Sequence, residues 1–288
     1  MMPNMPPRSM FQTLCPTSLA LLLLAGCGGL GHRSVEEVAG EIEIPAGIER
    51  VRLEVENGRI DVAAGAGRTI AYAGGVRRAA DTADDLAKIE AQPLQPQASP
   101  DPTDPTTLVV RAPHLPTGVV GIVAFEAGLH VPADMPLEIV VSRNGHVVLD
   151  HREAFSKVRT ARGDLRFQSC RGGVQARTGA GNVIVFEHSG DLDVRTGAGD
   201  MQAFIDVPGD KLTLDTGKGT VQCHVPADLE FDVDARVEQG RISNDFGLEV
   251  RQEGEFGAAM TGRRGAANTT VILRSFSGYL QLIAQKSD

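Results

Sequence analysis

Glycine residues divide the middle of the chain into short runs in which apolar and polar positions alternate. They recur every nine residues, at positions 163, 172, 181, 190 and 199, and each opens a run of the form Gly-x-apolar-x-apolar, as in Gly181-Asn-Val-Ile-Val185. Alternation with a period of two is typical of a strand that buries one face, and glycine tolerates the positive φ that a tight turn requires. The pattern predicts successive short strands joined by turns.

A second period, twice as long, overlies the first. It is carried by the Arg-Thr pairs at 159–160, 177–178 and 195–196, and by Asp164, Asn182 and Asp200. Two strand–turn units per 18-residue coil predict a single elongated, parallel β-solenoid, in which residues 18 apart stack about 4.7–4.9 Å from each other. Inward stacks are then expected from Leu165, Val183 and Met201 in one sheet and from Val174 and Leu192 in the other.

A meander of nine-residue hairpins is the alternative architecture, since glycine turns suit it as well. It would make neighbouring strands antiparallel and would place Arg177 and Arg195 two strand spacings apart, roughly 10 Å. The direction of pairing between these two residues therefore distinguishes the two folds.

A slower repeat extends the β pattern over residues 41–283. Ile44-Pro45-Ala46-Gly47, Val131-Pro132-Ala133-Asp134 and Val225-Pro226-Ala227-Asp228 each precede an alternating strand and then a turn glycine, at Gly58, Gly145 and Gly240. Proline is accommodated at the end of a strand, where its missing N–H costs nothing. The three segments predict equivalent corners in one domain.

Residues 77–106 interrupt this pattern. Arg77 to Glu90 contains neither Gly nor Pro and predicts one short helix, whereas five prolines between positions 93 and 105 predict a polar, mobile loop. We expect the helix to cap one end of the solenoid, because stacked sheets need a covered edge.

The N-terminal segment, up to Gly26, has the features of an export signal. The apolar run that ends at Ala25 is far shorter than the roughly 20 residues of a spanning helix. Leu24-Ala25-Gly26-Cys27 resembles the bacterial lipobox. The resemblance implies a signal peptide over 1–26, acylation of Cys27, a tether over 27–40 and, with Gly28 next to the cysteine, outer-membrane sorting. An ordinary secretory signal is the alternative.

Charge limits the choice of partners. The chain has 28 Lys and Arg against 37 Asp and Glu, a formal net charge of −9, and loss of residues 1–26 would remove only one charged residue, Arg8. This balance disfavours nucleic acid or anionic lipid as the main partner.

Cys170 and Cys223 would remain after export into an oxidising compartment, where a disulfide can form. Cys223, however, takes an inward position in the strand pattern. We therefore expect two unpaired thiols, one of them a small core residue.

The lipobox, the Pro-Ala corners, the repeated strands and the helix-containing insertion together resemble the adhesin-like β-solenoid lipoproteins, a family of largely unknown function. The resemblance covers roughly residues 41–283. It implies a lipid-anchored cell-envelope protein with a non-catalytic binding or scaffold role, and it supplies no catalytic residue. An envelope-stress regulatory or sensor module that binds a protein partner is the alternative.

Candidate chemistry beyond binding is weak. Asp191 and Asp200 lie in glycine turns but one residue from the position that calcium-binding nonapeptide repeats require, and the seven histidines show no ligand spacing with cysteine or carboxylates. A polysaccharide-processing β-helix would need convergent carboxylates, whereas the acidic residues here divide between two faces. We predict no metal, no cofactor and no enzymatic activity.

Arg159, Arg177 and Arg195, called the arginine stripe below, are the remaining candidate site. Three like charges about 5 Å apart repel each other unless carboxylates lie between them. One interpretation is pairing with Asp164, Asp193 or Asp200. The other is a basic stripe that binds an anionic glycan or a lipopolysaccharide phosphate.

Overall fold

The computed structural model describes residues 31–285, so the predicted signal peptide and Cys27 lie outside the described residues. The described chain is all-β with one short helix. Its first elements are β1 (His32–Glu43), β2 (Arg50–Val55), β3 (Gly58–Gly65), β4 (Thr69–Ala80), α1 (Ala83–Glu90), β5 (Gln97–Pro100), β6 (Thr107–Arg111), β7 (Gly121–Pro132), β8 (Leu137–Asp150) and β9 (Ser156–Arg162). They are followed by β10 (Leu165–Gln168), β11 (Val174–Thr178), β12 (Val183–Thr196), β13 (Met201–Lys218), β14 (Val221–Pro226), β15 (Phe231–Asn244), β16 (Val250–Glu253), β17 (Gly257–Arg264) and β18 (Thr269–Gln285). Within residues 31–285 no helix is long and apolar enough to cross a bilayer.

The central strands pair in parallel with the predicted 18-residue register. In the first ladder, which runs through β9, β11 and the second half of β12, Arg177 pairs with both Arg159 and Arg195. In the second ladder, Val183 of β12 pairs with Leu165 of β10 and with Met201 of β13. The parallel pairing excludes the hairpin meander for this part of the chain.

The register lengthens by two positions in the coil that follows. Leu192 pairs with Leu212, and Met201 pairs with Val221. The two extra residues are accommodated where the β12–β13 pairing shifts, between Val185 and Leu192. A coil can thus gain residues at a corner without losing the ladder on either side.

The order of coils along the stack differs from chain order at both ends. The last strand, β18, pairs in parallel with β13 and β14 on one side and with β15 on the other. Near the N-terminus, β2 lies between β8 and β6 in the first ladder. In the second ladder, β3 lies between β8 and β7. Antiparallel strands complete the ends, through β1, β4 and β7 at one end and β15, β17 and β16 at the other. The prediction of one uniformly parallel solenoid is therefore wrong at the ends.

One column of glycines runs the length of the stack, and it contains every second glycine of the nine-residue repeat and the turn glycines of the slower repeat. Its members are Gly58, Gly145, Gly163, Gly181, Gly199, Gly219, Gly278 and Gly240. Gly181 has a φ of +150°, and a Cβ there would lie 2.1 Å from the carbonyl oxygen of Gly163. Each coil therefore approaches its neighbour more closely at this turn than any side chain allows.

The three Pro-Ala segments form equivalent corners, as predicted. Each proline carbonyl accepts a hydrogen bond from the backbone N–H three residues later, at 3.3 Å for Ile48, 3.1 Å for Met135 and 3.1 Å for Leu229. Each corner is followed by a strand of the first ladder.

The helix is shorter than the sequence predicted. It begins at Ala83 rather than at residue 77, after the N-cap Thr82, whose side chain accepts a hydrogen bond from the Asp85 N–H. Residues 77–80 instead extend β4, which is paired along both edges with β1 and β7. Strand pairing on two sides overrides the helical preference of this segment.

Two further predictions at the N-terminal end need correction. The proline-rich loop contains β5, which pairs antiparallel with β6 and covers an edge of the first ladder. The segment predicted as a tether, 27–40, is strand from His32 onward, because β1 pairs with β4 over its whole length. The predicted tether therefore shortens to the few residues that precede His32.

The core is one continuous apolar cluster between the two ladders. Leu165, Val183, Met201, Val174 and Leu192 are all buried, as predicted for the inward stacks. Alternation along each strand therefore places every second side chain on the outer surface, where the candidate sites lie.

Candidate functional site

Threonines of the 18-residue repeat close one corner of each coil. The Thr196 hydroxyl shares its proton between the carbonyl oxygens of Gly181, in the preceding coil, and Ala198, both at 3.1 Å. Thr160, Thr178 and Thr216 make the equivalent pair of contacts. All four threonines are buried. The Ala198 carbonyl oxygen also accepts the Gly181 N–H at 2.9 Å, so each threonine hydroxyl adds a buried link at a turn where two coils already meet.

The repeated Asp and Asn residues cap the next coil. The Oδ1 atom of Asp164 accepts a hydrogen bond from the Asn182 N–H at 2.8 Å, and Oδ1 of Asn182 accepts one from Asp200 N–H at 2.9 Å. Oδ1 of Asp200 continues the ladder to the Thr220 N–H at 2.7 Å. These side chains satisfy donors at the turns where the coils leave the regular ladder.

The arginine stripe is assembled as the sequence predicted. Arg159, Arg177 and Arg195 occupy paired positions on three consecutive strands of the first ladder, and all three side chains are exposed. Their Cα positions are therefore separated by about 4.7–4.9 Å per step. Unlike the repeated Thr and Asx side chains, the side chains of the stripe make no hydrogen bond or ion pair that holds one coil to the next.

Carboxylate pairing accounts for only one member of the stripe. Arg195 Nε contacts Asp193 Oδ1 at 3.0 Å, and this hydrogen bond raises the pKa of Arg195. Asp164 and Asp200 are engaged with the backbone of the next coil. Within residues 31–285, Arg159 and Arg177 have no ion pair and no hydrogen bond through the guanidinium group. They form two adjacent exposed cations on an otherwise acidic protein.

Asp215 lies beside Arg195 on the next strand, and the carboxylate on the other side of the stripe, on β8, is already occupied. Glu138 accepts hydrogen bonds from Arg52 and Lys157, each at 2.9 Å. Burial raises the pKa of Glu138, but these two cations outweigh it and hold the pKa below its ordinary value. Glu138 is thus ionised and already shared by two cations, so it leaves Arg159 unneutralised.

A row of small residues borders the stripe on one side. Ala161, Gly179 and Gly197 lie two positions after the three stripe arginines, and Gly217 lies two positions after Asp215 on the next strand. A Cβ at Gly179 would lie 2.4 Å from the carbonyl oxygen of Ala161, which explains the glycine. The row therefore places little side-chain bulk beside the stripe.

The outer surface of the second ladder carries an aromatic stack that our sequence analysis did not identify. The Phe186 and Phe204 rings stack with centroids 5.1 Å apart, and the Phe204 and His224 rings stack at 4.2 Å. The Arg166 guanidinium lies 5.2 Å from the Phe186 centroid. Beside the stack, the amide of Gln222 donates to Gln281 and accepts from Gln202. Phe186 and Phe204 are 18 residues apart, the length of one coil, and this spacing is a signal in the sequence that could have revealed the stack.

The ring faces in this stack are covered by one another. Rings stacked with interplanar angles of 10° and 19° present their edges, rather than their faces, to solvent. We therefore interpret the stack as support for the coils.

A buried polar column occupies a corner between the ladders. Arg152, Cys170 and His188 take the same position in three successive coils and are all buried. Arg152 donates to the carbonyl oxygens of Val131 and Met135, at 2.8 and 2.5 Å. Burial lowers the pKa of His188 and raises the pKa of the Cys170 thiol. The column joins the Val131 corner to the following coils.

Both described cysteines are free and buried, in agreement with the expected unpaired thiols. Burial raises the pKa of Cys223 to about 12. Each thiol is therefore protonated and shielded from solvent at neutral pH.

The turn carboxylates considered for calcium serve the backbone. Oδ1 of Asp191 accepts a hydrogen bond from the Lys211 N–H at 3.0 Å, and Asp200 has the role in the capping ladder given above. In the part of the chain that the structure describes, no group of three or more His, Cys, Asp or Glu side chains is arranged to hold a metal ion.

Comparison with known proteins gives two similarities. Residues 140–282, which include the whole arginine stripe, match the family model described as Toastrack DUF4097, a β-solenoid-like fold. The chain is also similar to a crystal structure described as a "putative cell adhesion protein from Clostridium sporogenes ATCC 15579", with 14% identity, a TM-score of 0.37, and coverage of 88% of this chain and 100% of that chain. No curated protein matches the sequence.

Proposed function

We propose that the chain is an exported, lipid-anchored envelope protein whose β-solenoid domain is a non-catalytic, adhesin-like binding module. The arginine stripe is its ligand-binding surface, and the ligand is an anionic envelope glycan or a lipopolysaccharide phosphate. The anchor is the acylated Cys27, in the outer membrane. The proposal rests on the lipobox for the anchor and on the stripe for the binding activity.

The observation that carries the binding activity is the exposed, unneutralised pair Arg159 and Arg177. Each of the other repeated residue types has a contact that maintains the coils, whereas these two guanidinium groups have none. A planar guanidinium presents paired donors that match phosphate and carboxylate oxygens. Two such groups one strand spacing apart can engage neighbouring anionic groups of a polymer or a phosphorylated headgroup.

Binding to purified lipopolysaccharide tests the proposal. The double variant Arg159→Gln/Arg177→Gln should bind about tenfold to a hundredfold more weakly, because a hydrogen bond to a charged group contributes about 1.5–3 kcal/mol. The control Arg241→Gln/Arg251→Gln removes the same charge from exposed positions elsewhere and should retain wild-type affinity. Equal losses in both variants would indicate non-specific attraction and would contradict the assignment of the stripe.

Surface exposure separates this function from a regulatory module that binds a protein partner inside the envelope. An adhesin-like module should be cleaved by added protease on intact cells. Protection on intact cells, combined with cleavage after the outer membrane is permeabilised, would favour the regulatory alternative.

The anchor is tested by Cys27→Ser. This variant should appear in the soluble fraction or should retain its signal peptide, because the acyl acceptor has been removed. A variant that still fractionates as mature, lipid-modified protein would contradict the lipobox assignment.

A further inference from the structure

The N-terminal end of the stack is a three-stranded antiparallel layer with one open face. β1 pairs with β4, and β4 pairs with β7. On the inner face, Arg78 contacts the carbonyl oxygen of Gln92, which follows helix α1. On the outer face, one row joins Arg33, Ala79 and Ile122, and the next joins Val35, Arg77 and Ala124.

Exposed apolar side chains lie at this end of the layer, on β1 and β7, which flank β4, and at the residue that precedes β7. Val35 is 71% exposed, Ile122 is 38% exposed, and Val120, which directly precedes β7, is 64% exposed. Exposed aliphatic residues that cluster, rather than lie singly, mark a surface that contacts another phase or molecule. We call Val35, Val120 and Ile122 the anchor-proximal patch.

The charges beside the patch suit a lipid headgroup layer. Arg33 and Arg77 lie on the same face as Val35, within two rows of it. Arg77 also contacts Glu126 at 2.9 Å. Long basic side chains can reach phosphate groups while neighbouring aliphatic residues enter the acyl boundary. The carboxylate of Glu126 lies beside these cations. A zwitterionic lipid surface, which carries both charges, therefore suits this face better than a purely anionic one.

The length of chain before β1 determines how far this face can lie from the anchor. Five peptide steps separate Cys27 from His32, where β1 begins. At 3.3–3.6 Å per residue they span at most about 18 Å, even when fully extended. Lipidation of Cys27 would therefore hold the start of β1 within about that distance of the bilayer.

We propose that the anchor-proximal patch docks on the phospholipid surface, so that the domain stands with its β1 end on the membrane. This inference rests on the proposed acylation of Cys27. Arg159 of the stripe lies on β9, which belongs to the same coil as β10. Along the second ladder, five strand spacings, about 24 Å, separate β1 from β10. Docking at β1 thus holds the arginine stripe clear of the phospholipid headgroups, where it is available to an anionic envelope glycan rather than to a phosphate in the headgroup layer.

The chain contains no tryptophan, so one introduced indole reports its own position. The test uses full-length, lipidated Val35→Trp in phosphatidylcholine vesicles whose acyl chains carry bromine. Its emission should shift to the blue, and bromine should quench it at least twofold. Phe256→Trp, at a 63% exposed position near the opposite end of the stack, is the matched control and should show neither effect. Ile122→Trp provides a second reporter on the patch.

Each other outcome has a definite meaning. Vesicle-bound protein in which both patch reporters remain unquenched would overturn the docking proposal and leave the lipid anchor intact. Quenching of Val35→Trp and Phe256→Trp together would overturn it as well, since the domain would then lie along the bilayer. A wild-type protein that does not associate with vesicles would overturn the anchor and the docking proposal together.

Discussion

The side chain of Asn182 caps the backbone of Asp200, one coil further along the chain: Oδ1 of Asn182 accepts a hydrogen bond from the Asp200 N–H at 2.9 Å. Asp164 and Asp200 make the same contact to the coils that follow them. The coils therefore remain linked at the turn, where regular strand pairing is interrupted. This role explains why Asp and Asn both occur at this position of the repeat, because each supplies the required Oδ1 acceptor.

The capping role predicts different outcomes for two substitutions of Asn182. Asn182→Ala should lower the free energy of unfolding by about 1 kcal/mol, since the Asp200 N–H loses its partner. Asn182→Asp should restore most of the stability, because the carboxylate keeps the acceptor. Denaturant titration monitored by circular dichroism measures both. Equal stability of the alanine and aspartate variants would contradict the role of the side chain.

The glycine column predicts a much larger effect at Gly181. Gly181→Ala should lower the free energy of unfolding by about 3 kcal/mol or more, because the new Cβ meets the Gly163 carbonyl oxygen and the residue has a positive φ. Gly128→Ala is the control, since a Cβ there has an ordinary contact of 3.9 Å. Denaturation of both variants under the same conditions measures the difference, and similar stabilities would contradict the close approach of the coils.

The two described thiols should be unreactive until the protein unfolds. In a Cys15→Ser/Cys27→Ser background, only Cys170 and Cys223 remain. Both side chains are buried, and burial raises the pKa of each. A thiol reagent added at about pH 8 should therefore label neither cysteine in the folded state and both in denaturant. Rapid labelling of the native protein, or the absence of free thiols in denaturant, would contradict the buried, unpaired arrangement.

The sequence was most informative where the repeat is regular. The parallel pairing of Arg177 with Arg195 followed from the 18-residue period, because one period corresponds to one coil. The corners at Pro45, Pro132 and Pro226 were visible for the same reason. A local repeat, however, does not specify which coil lies next to which when the chain returns, so the insertion of β18 between β13 and β15 could not be read from it.

The errors at the N-terminal end have a tertiary cause. Residues 77–80 resemble a helix in composition, but β1 and β7 pair with them on both sides. The segment read as a tether contains β1, whose polar and small residues hid its strand character. In the candidate site, the repeat revealed the stripe but did not reveal which of its arginines pairs with a carboxylate. Whether Asp164 or Asp200 could neutralise an arginine depended on backbone donors that only the folded coils bring together.

The last prediction concerns pH and His188. This side chain is buried, its Nε2 atom lies 3.1 Å from the Asp191 carbonyl oxygen, and its Nδ1 atom is buried without a hydrogen-bond partner. Burial lowers the pKa of His188 below the value of about 6.5 in an unfolded chain. Above pH 6.5 both states are neutral at this position and stability is unaffected. As the pH falls below about 6.5, the unfolded state binds a proton that the folded state does not, so the free energy of unfolding decreases until the folded-state pKa is reached.

His188→Gln separates this contribution from the titration of other groups. The variant retains an amide that can donate to the Asp191 carbonyl oxygen, but it no longer titrates. Its free energy of unfolding should therefore decrease less than that of the wild type between about pH 7 and pH 5. His114→Gln changes an exposed histidine and should follow the wild-type pH dependence. Parallel denaturant titrations of the three proteins measure the slopes, and a His188→Gln slope equal to that of the wild type would show that the buried imidazole does not set the acid sensitivity of the fold.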